Sequence, residues 1–565
     1  MQKIVVPKCT NPIRFVALTS FILCSILFFF DYSALYETRK NEATLLTNGF
    51  SNSSSISSSP ISLNPTNDTK PEKESIKTLS TNSSIDQKPE KQAIVKTQTS
   101  SSNISPPAKR SRKRAARRKG RSIKTKPSHD VELPKTVPFK TEDSSCIGKY
   151  IYIHNLPKKF NEDLVQNCKL PHLKWSEVCR FVWENIGLGP KLQNPKRVLT
   201  NKGWFYTNQF ALEVIFHHRM KQYKCLTKDS SKATAIFVPF YAGLDVGPYL
   251  WGFNASIRDK GPLELGKWLS QRSEWKAKWG RDHFLIGGRI TWDFRRNNEN
   301  DSDWGSKLML LPEANNMTML TIETGYWNND FAIPYPTDFH PSSDSQIIEW
   351  QRKMKRQKRP FLFSFIGGPR PTQETSIRGE LINQCKASKN CFFLACIPGE
   401  KKCGDPVAVM NTFMNSVFCL QPPGDSFTRR SIFDAILAGC IPVFFHPGTA
   451  YAQYIWHFPK DHQKYSVFIP SKRVKQKEVN VSEVLERISS KQVLGMRNQV
   501  VRMIPRVIYA DPRSKLESFE DAFDIAVKGI LERVERVRKG IEEGKDPTVG
   551  FADLNMKKFE MLGFT

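Results

Sequence analysis

Ser426, Thr428, Arg429 and Arg430 place two hydroxyls and two guanidinium groups directly after a Pro-Gly-Asp turn at Pro423–Asp425. N–H groups at a helix start attract negative charge, and a guanidinium fork pairs with two phosphate oxygens at once. Two arginines in a first helical turn otherwise oppose the helix dipole. The set fits an anion with several oxygens, and a diphosphate is the expected one. Asp434, one turn beyond Arg430, is placed to orient that guanidinium or to accept a ribose hydroxyl. The plainer alternative is a helix capped by Ser426 or Thr428 and followed by surface arginines. Gly367 and Gly368, with Arg370 after them, form a second turn where backbone could approach the same ligand.

These groups need a scaffold. Phe418–His446 reads as a buried strand, the turn, a helix, a Gly-Cys stop and a second buried strand. Ile432, Phe433, Ile436 and Leu437 share one arc of the helix, with Arg430, Ser431 and Asp434 opposite. The strand-to-helix turn is where ligands sit in an open α/β sheet. Other strands are expected in Lys149–Pro157, Ala233–Phe240, Asp282–Arg296, Met317–Thr324, Pro360–Gly368, Phe392–Ala395 and Tyr465–Pro470. Helices are expected within Lys196–Lys221 after an irregular start, at Ser376–Ala387, Pro406–Ser416 and Val481–Ser489, and a mostly surface-charged one from Leu516 to Glu543. Tyr241–Gly247, carrying Asp245, is expected as a loop, and the basic stretch Ser342–Arg359 as the connection between two halves. Strands alternating with helices point to parallel, doubly wound sheets: an α/β protein of two domains with a cleft between them.

The chain carries a formal net charge of +30 over 565 residues, which ordinarily raises nucleic acid as a partner. Lys109–Lys126 holds eleven basic residues and no acid, without apolar periodicity, and so reads as a solvated tail. No nucleic-acid partner is expected. Phe15–Phe30 is uncharged and apolar, preceded by Lys3, Lys8 and Arg14. A transmembrane signal-anchor over residues 15–36 follows, with a cytoplasmic tail at 1–14 and the rest of the chain lumenal. A cleaved signal peptide is the alternative. Residues 37–145, rich in Ser, Thr, Asn, Lys and Pro, cannot supply a core and form a disordered stalk. A lumenal address agrees with glycosylation acceptors at Asn52, Asn67, Asn82, Asn103, Asn254, Asn300, Asn316 and Asn480, and with ten cysteines after the anchor. Cys385, Cys391, Cys396 and Cys403 could be read as a zinc site, but their spacing favours disulfides.

The motifs FCLQPPGDSFTRRSIFDAILAGCIPVFF (Phe418–Phe445), GRDHFLIGGRITWDFRR (Gly280–Arg296), IPYPTDFHP (Ile333–Pro341) and FLFSFIGGPR (Phe361–Arg370) resemble the exostosin-type glycosyltransferases, family 47. Within that family they are similar to the plant xyloglucan galactosyltransferases. The resemblance runs from Cys146 to the C-terminal helix. It implies a GT-B fold of two Rossmann-like domains, an acceptor-side domain at 146–345 and a nucleotide-sugar domain at 346–565. It also implies inverting transfer of galactose from UDP-galactose to xylosyl side chains of xyloglucan, by a single-pass type II protein of the Golgi membrane. Other Golgi glycosyltransferases are candidate partners.

Single displacement needs a base for the acceptor hydroxyl and a device to stabilise the departing diphosphate. Gly367, Gly368, Arg370, Ser426, Thr428, Arg429, Arg430 and Asp434 are the donor-side candidates. Asp293, after a strand and glycine turn, is the first candidate base and Asp245 the second. An ion pair of Asp293 with Arg295 or Arg296 is the structural alternative, and His283 reads as a satisfied core histidine. No Asp-x-Asp sits at a strand exit, so neither a metal nor another cofactor is expected. Trp251, Trp268, Trp292 and Trp327 are candidate stacking platforms for a polysaccharide. Two other readings stay open: a different donor such as UDP-galacturonic acid on the same acceptor, or a catalytically silent glycan-binding scaffold subunit.

Overall fold

A computed structural model describes residues 144–169, 176–194, 197–400, 402–549 and 551–561, which belong to one compact unit. The expected tail, anchor, basic run and all but the end of the stalk lie outside the described residues, as do Asn52, Asn67, Asn82 and Asn103. Among the described residues no helix is long and apolar enough to cross a membrane. Asn254, Asn300 and Asn480 are exposed and Asn316 is half-buried.

Two wholly parallel sheets carry the fold. The first contains β1 (Ile151–Ile153), β2 (Leu226–Thr227), β3 (Ala235–Val238), β4 (His283–Ile286), β5 (Thr318–Thr321) and β6 (Asp330–Ala332), in spatial order β2-β1-β3-β4-β5-β6. The second contains β7 (Phe361–Gly367), β8 (Cys391–Ala395), β9 (Ser416–Gln421), β10 (Ile441–Phe444) and β11 (Val467–Phe468), in order β8-β7-β9-β10-β11. Both therefore start in the middle, step outward once and return past the first strand. β3, β4, β5 and β10 are buried at every position, as strands covered on both faces must be. That double burial is why β3 appears in the sequence as an apolar run, while β4 and β5 admit only the hydrogen-bonded His283, Thr318 and Thr321 among their apolar residues.

The helices that position the site are α1 (Leu212–Met220), α2 (Ala242–Val246), α3 (Ala255–Ser270), α4 (Asp344–Arg356), α5 (Arg378–Ala387), α6 (Pro406–Met414), α7 (Ser431–Leu437), α8 (Ser490–Met503), α9 (Ala522–Glu542) and α10 (Met556–Met561). Three differ from expectation. The segment bearing Asp245 is a short helix, α2, not a loop. The stretch read as a bare connection is α4, whose Ile347, Trp350 and Met354 recur at helical spacing and are all buried. Trp350 donates its indole N–H to the Leu437 carbonyl at 2.8 Å, and Lys353 Nζ donates to the Val198 carbonyl at 2.5 Å. The connection is a packed strut. Helix α9 is not merely a charged surface element: Phe523, Ile525, Val527, Ile530 and Val534 are buried, and it crosses back to the first sheet. There Arg219 pairs with Asp521 at 3.0 Å and Arg533 donates to Thr318 Oγ1 at 3.1 Å.

The cysteine tetrad forms two disulfides, Cys385–Cys391 and Cys396–Cys403. Cys146–Cys225 and Cys419–Cys440 are also bonded. The second of these joins β9 to the residue before β10 and so encloses the turn and α7. Among the described residues no cluster of three His, Cys, Asp or Glu side chains could hold a metal ion.

Candidate active site

In each sheet the strand order reverses once, between β1 and β3 and between β7 and β9, and ligands bind outside the carboxyl ends at such a reversal. The first reversal is filled by the chain itself. Leu156 and Phe160 pack against Val238, Phe240 and Leu285, and Asn161 Nδ2 donates to the Pro239 carbonyl at 3.0 Å. Beside it His154 and His283 lie 3.0 Å apart through their Nε2 atoms, and His283 Nδ1 meets Asp282 at 2.7 Å. His283 is the satisfied core histidine it was expected to be.

The second reversal is lined with charge. Gly367 and Gly368 end β7, and the turn with Pro423, Gly424 and Asp425 follows β9. Arg370 reaches Asp425 with Nε at 3.1 Å and Nη2 at 3.5 Å. Arg429 Nη1 lies 3.9 Å from Oδ2 of the same carboxylate, the oxygen that Arg370 Nη2 also approaches. Arg378, the first residue of α5, donates to the carbonyls of Pro423 at 3.2 Å and Gly368 at 3.5 Å. Arg370 and Arg429 thus lie against one carboxylate with Arg378 close by, and Glu323 is a second acid acting on Arg429, so the three guanidinium groups outnumber the two carboxylates. Burial brings Arg378 down to about 9, with Arg429 and Arg370 adding to the effect and Asp425 opposing it. Burial also lowers Arg429, against the pull of Asp425. Its Nε and Nη2 are buried with no hydrogen-bond partner. A Cβ at Gly424 would overlap the Arg429 guanidinium, so the absence of a side chain there lets Arg429 take this position.

Ser426 and Thr428 are occupied by a residue the sequence did not single out. Glu323, just beyond β5 and fully buried, accepts at one oxygen from Ser426 Oγ (2.7 Å), Thr428 N (2.7 Å) and Thr428 Oγ1 (2.6 Å). Its other oxygen accepts from Trp292 Nε1 at 3.1 Å. Next to it, Gln453 accepts from Thr324 N at 2.8 Å and donates to its carbonyl at 3.3 Å. These bonds turn the carboxyl ends of the two sheets toward each other. The only hint in the sequence is an acid followed by Thr-Gly at a strand exit.

Arg430, expected beside Arg429 at the anion, points elsewhere. It is paired with Asp338, lies 3.6 Å from Asp434, and donates to the Thr207 carbonyl at 2.5 Å. Although burial pulls it down, Asp338 and Asp434 together hold Arg430 firmly protonated. Asp434 thus orients this guanidinium, the first of its two expected roles. The Arg430 fork is committed to tying α7 to the first half, so it leaves the set of groups available to a diphosphate.

On the first half's rim, Asp293 accepts from Arg289 Nε at 2.6 Å and is buried, which raises its proton affinity against the opposing pull of Arg289. The ion-pair partner is Arg289 and not Arg295 or Arg296. Arg295 stacks 3.6 Å over Trp327, and Arg296 pairs with Asp259. Glu213 of α1 accepts from the backbone N–H groups of Gly243 at 2.6 Å and Gly288 at 2.9 Å, tying together the ends of β3 and β4. Burial pushes its carboxyl up to about 8, against three backbone hydrogen bonds and Arg289. The Tyr335 hydroxyl, 3.1 Å from Thr428 Oγ1, has its pKa raised by burial and feels the charges of Glu323, Arg429 and Asp293. Asp293 is thus within electrostatic reach of the group between the sheets, although its hydrogen-bond partners belong to the first half. Asp245 is not: its carboxylate lies against Gly261 of α3, and its charged neighbours are Glu264 and Lys260.

Of the four tryptophans, Trp292 and Trp327 join Tyr326, Phe427 and Ala452 in an apolar cluster spanning both halves beside Glu323. Trp268 meets His154 edge-on, and Trp251 is exposed.

The chain matches the Exostosin GT47 domain over residues 145–487. It is 54% identical over 433 residues to xyloglucan galactosyltransferase MUR3 of Arabidopsis thaliana, covering 76% of this chain and 69% of that one. It is 55% identical over 430 residues to the probable xyloglucan galactosyltransferase GT12 of the same plant, covering 74% and 84%. The xyloglucan-specific galacturonosyltransferase 1 of Arabidopsis is 41% identical over 401 residues, covering 70% and 58%.

Proposed function

Because this chain belongs to the exostosin GT47 family of glycosyltransferases, we propose that it transfers galactose from UDP-galactose to xylosyl side chains of xyloglucan. The observation that carries the donor half is Arg370, Arg378 and Arg429 gathered at Asp425, with Glu323 the second acid acting on Arg429, an excess of guanidinium groups over carboxylates in which two buried Arg429 nitrogens are unpartnered. Such an excess of guanidinium charge at a strand-order reversal is suited to a diphosphate. The names of the xyloglucan-acting relatives support the acceptor.

Transfer proceeds as a single displacement. A xylosyl hydroxyl oxygen attacks the anomeric carbon, the bond from that carbon to the diphosphate oxygen breaks, and the hydroxyl proton passes to Asp293. Burial makes the Asp293 carboxylate more basic, which favours this role. The charge developing on the diphosphate is met by Arg429 and Arg370, with backbone at Gly367 and Gly368 against the donor. Guanidinium groups supply the leaving-group charge, so no metal is assigned to the step. Residues 146–345 form the acceptor side and the chain from 346 the nucleotide-sugar side, apart from α9 and the C-terminal segment, which pack back on the first half.

The address is the Golgi lumen, with residues 15–36 as a type II anchor and 37–145 as the stalk. The disulfides among the described residues support an oxidising compartment. The relative named as a galacturonosyltransferase favours a second reading, in which the donor is UDP-galacturonic acid.

The test incubates the full chain with xylosylated glucan oligosaccharides and a panel of UDP-sugars, with and without a chelator, and weighs the products. Hexose added from UDP-galactose alone, with the chelator making no difference, is the expected result. Added uronic acid moves the assignment to the second reading. Donor consumption by no combination overturns both and leaves a scaffold subunit. Activity lost to chelation and restored by a divalent cation overturns the metal-free step.

A further inference from the structure

Beyond the matched domain, which ends at residue 487, the chain returns to the active-site rim. Its C-terminal segment runs beside the loop between β5 and β6. Asn328 N donates to the Asp553 carbonyl at 3.0 Å and Asn555 N to the Tyr326 carbonyl at 2.6 Å, with Leu554 bridged antiparallel to Trp327. Asn555 Nδ2 adds a bond to Asn328 Oδ1 at 2.8 Å. Helix α10 then carries Lys558 back over the loop. Its ammonium donates to Thr324 Oγ1 at 2.8 Å, the Trp327 carbonyl at 3.2 Å and the Asp330 carbonyl at 2.6 Å.

An ammonium has three N–H donors, and all three are used on one loop. A tail that merely covered the β6 edge would need only apolar and backbone contacts. Arg533, stacked 4.9 Å from Phe331 and 4.6 Å from Phe551, already provides that cover. Lys558 instead grips Thr324, the residue Gln453 holds from the second half and the direct neighbour of Glu323.

We propose that the segment Asp553–Met561 is a strap on the active-site rim, and that Lys558 is a positioning residue acting through Thr324 on Glu323. Glu323 in turn fixes Ser426 and Thr428 on either side of Phe427, next to Arg429. The strap thus sets the donor-side turn from a segment outside the family domain. The consequence for donor binding rests on the reading above; the hold on the loop does not. Burial brings Lys558 down to about 8, with Asp330 opposing and Arg295 and Arg533 adding to the effect. These are the charged groups facing it from β6, from the residues after β4 and from α9. Donor binding should therefore weaken on the alkaline side as the ammonium loses its proton.

The full chain is compared with Lys558→Met and Lys558→Arg by amide hydrogen exchange, thermal unfolding and UDP-galactose kinetics. In Lys558→Met the amides of Thr324 and Gly325 should exchange about tenfold faster, with the unfolding midpoint nearly unchanged. The donor KM should rise about tenfold while kcat changes by less than about twofold. Lys558→Arg should restore both and move the alkaline limb upward. Unchanged exchange in Lys558→Met overturns the strap. Faster exchange with an unchanged donor KM overturns its link to the donor while leaving the proposed reaction intact. If the unaltered chain consumes no UDP-galactose, the proposed reaction fails, and the exchange result still decides the strap.

Discussion

Thr428 gives Glu323 two hydrogen bonds on a single oxygen, one from its backbone N–H at 2.7 Å and one from its hydroxyl at 2.6 Å. The two residues are 105 positions apart and belong to different sheets. Hydrogen bonds to a buried carboxylate are among the stronger ones in a protein, and removing the acceptor leaves its donors unmet. Glu323→Ala is expected to lower unfolding free energy by about 3 kcal/mol in denaturant titration. It should also raise the donor KM, because the turn bearing Arg429 loses its anchor. A stability loss with donor KM unaltered would confine Glu323 to holding the fold.

Arg429 and Arg430 are neighbours with opposite expected phenotypes. Arg430→Met leaves Asp338 and Asp434 buried without their counter-charge and should cost about 3–5 kcal/mol of stability. Arg429→Met removes a guanidinium with unpartnered buried nitrogens, so stability should hold or rise. Its catalytic efficiency should fall about 100- to 1000-fold. Parallel melts and donor kinetics on the two variants separate the roles; matching profiles would refute the division.

Asp245 provides a pH-dependent stability. Burial pushes its carboxyl up from 3.8 to about 7, with Glu264 adding and Lys260 opposing. A carboxyl with a raised native pKa binds more protons folded than unfolded, so its contribution declines as pH climbs from about 4 through 7. Asp245→Asn should therefore raise the melting temperature at pH 8 and have little effect below pH 4. Transfer should survive in Asp245→Asn and be lost in Asp293→Asn. The reverse pattern would make Asp245 the base.

The Cys419–Cys440 bond closes a loop with a sequence separation of 21 around the donor turn. Removing both sulfurs as Cys419→Ala/Cys440→Ala should cost about 3 kcal/mol on chain-entropy grounds. Chemical denaturation of the double variant checks this; a change below about 1 kcal/mol would mean the unfolded chain is already restricted there.

Most of the fold could be read in the sequence because its strands are buried on both faces. ATAIFVPF around β3 and FLFSFIGG around β7 are mostly apolar, with Thr234 and Ser364 the exceptions, and their short length, β-branched and aromatic residues and flanking Pro or Gly favour a strand over a buried helix. The turn after β9 was visible for the same reason. What stayed hidden depended on direction or distance. Arg429 and Arg430 look equivalent in sequence, yet adjacent side chains at a helix start diverge, one toward Asp425 and the other toward Asp338. Glu323 looks like any acid closing a strand, because its partners arrive from the other sheet. In α4 the surface charges of Arg352, Lys355 and Arg356 masked the buried stripe of Ile347, Trp350 and Met354. Asp293 stands out in the sequence, but its partner Arg289 lies four residues upstream and nothing local distinguishes it from Arg295 and Arg296 as the counter-charge.

The two sheets follow one winding rule, each running outward once from its first strand and back past it. Two sheets of one topology nonetheless place very different side chains at their reversals. In the first, Leu156 and Phe160 plug the crevice, so equivalent positions there tolerate only changes that conserve volume. In the second, Gly424, Arg378 and Arg429 answer instead to charge and clearance. One winding pattern is thus held to two standards of substitution, steric in the amino-terminal half and electrostatic in the carboxyl-terminal one.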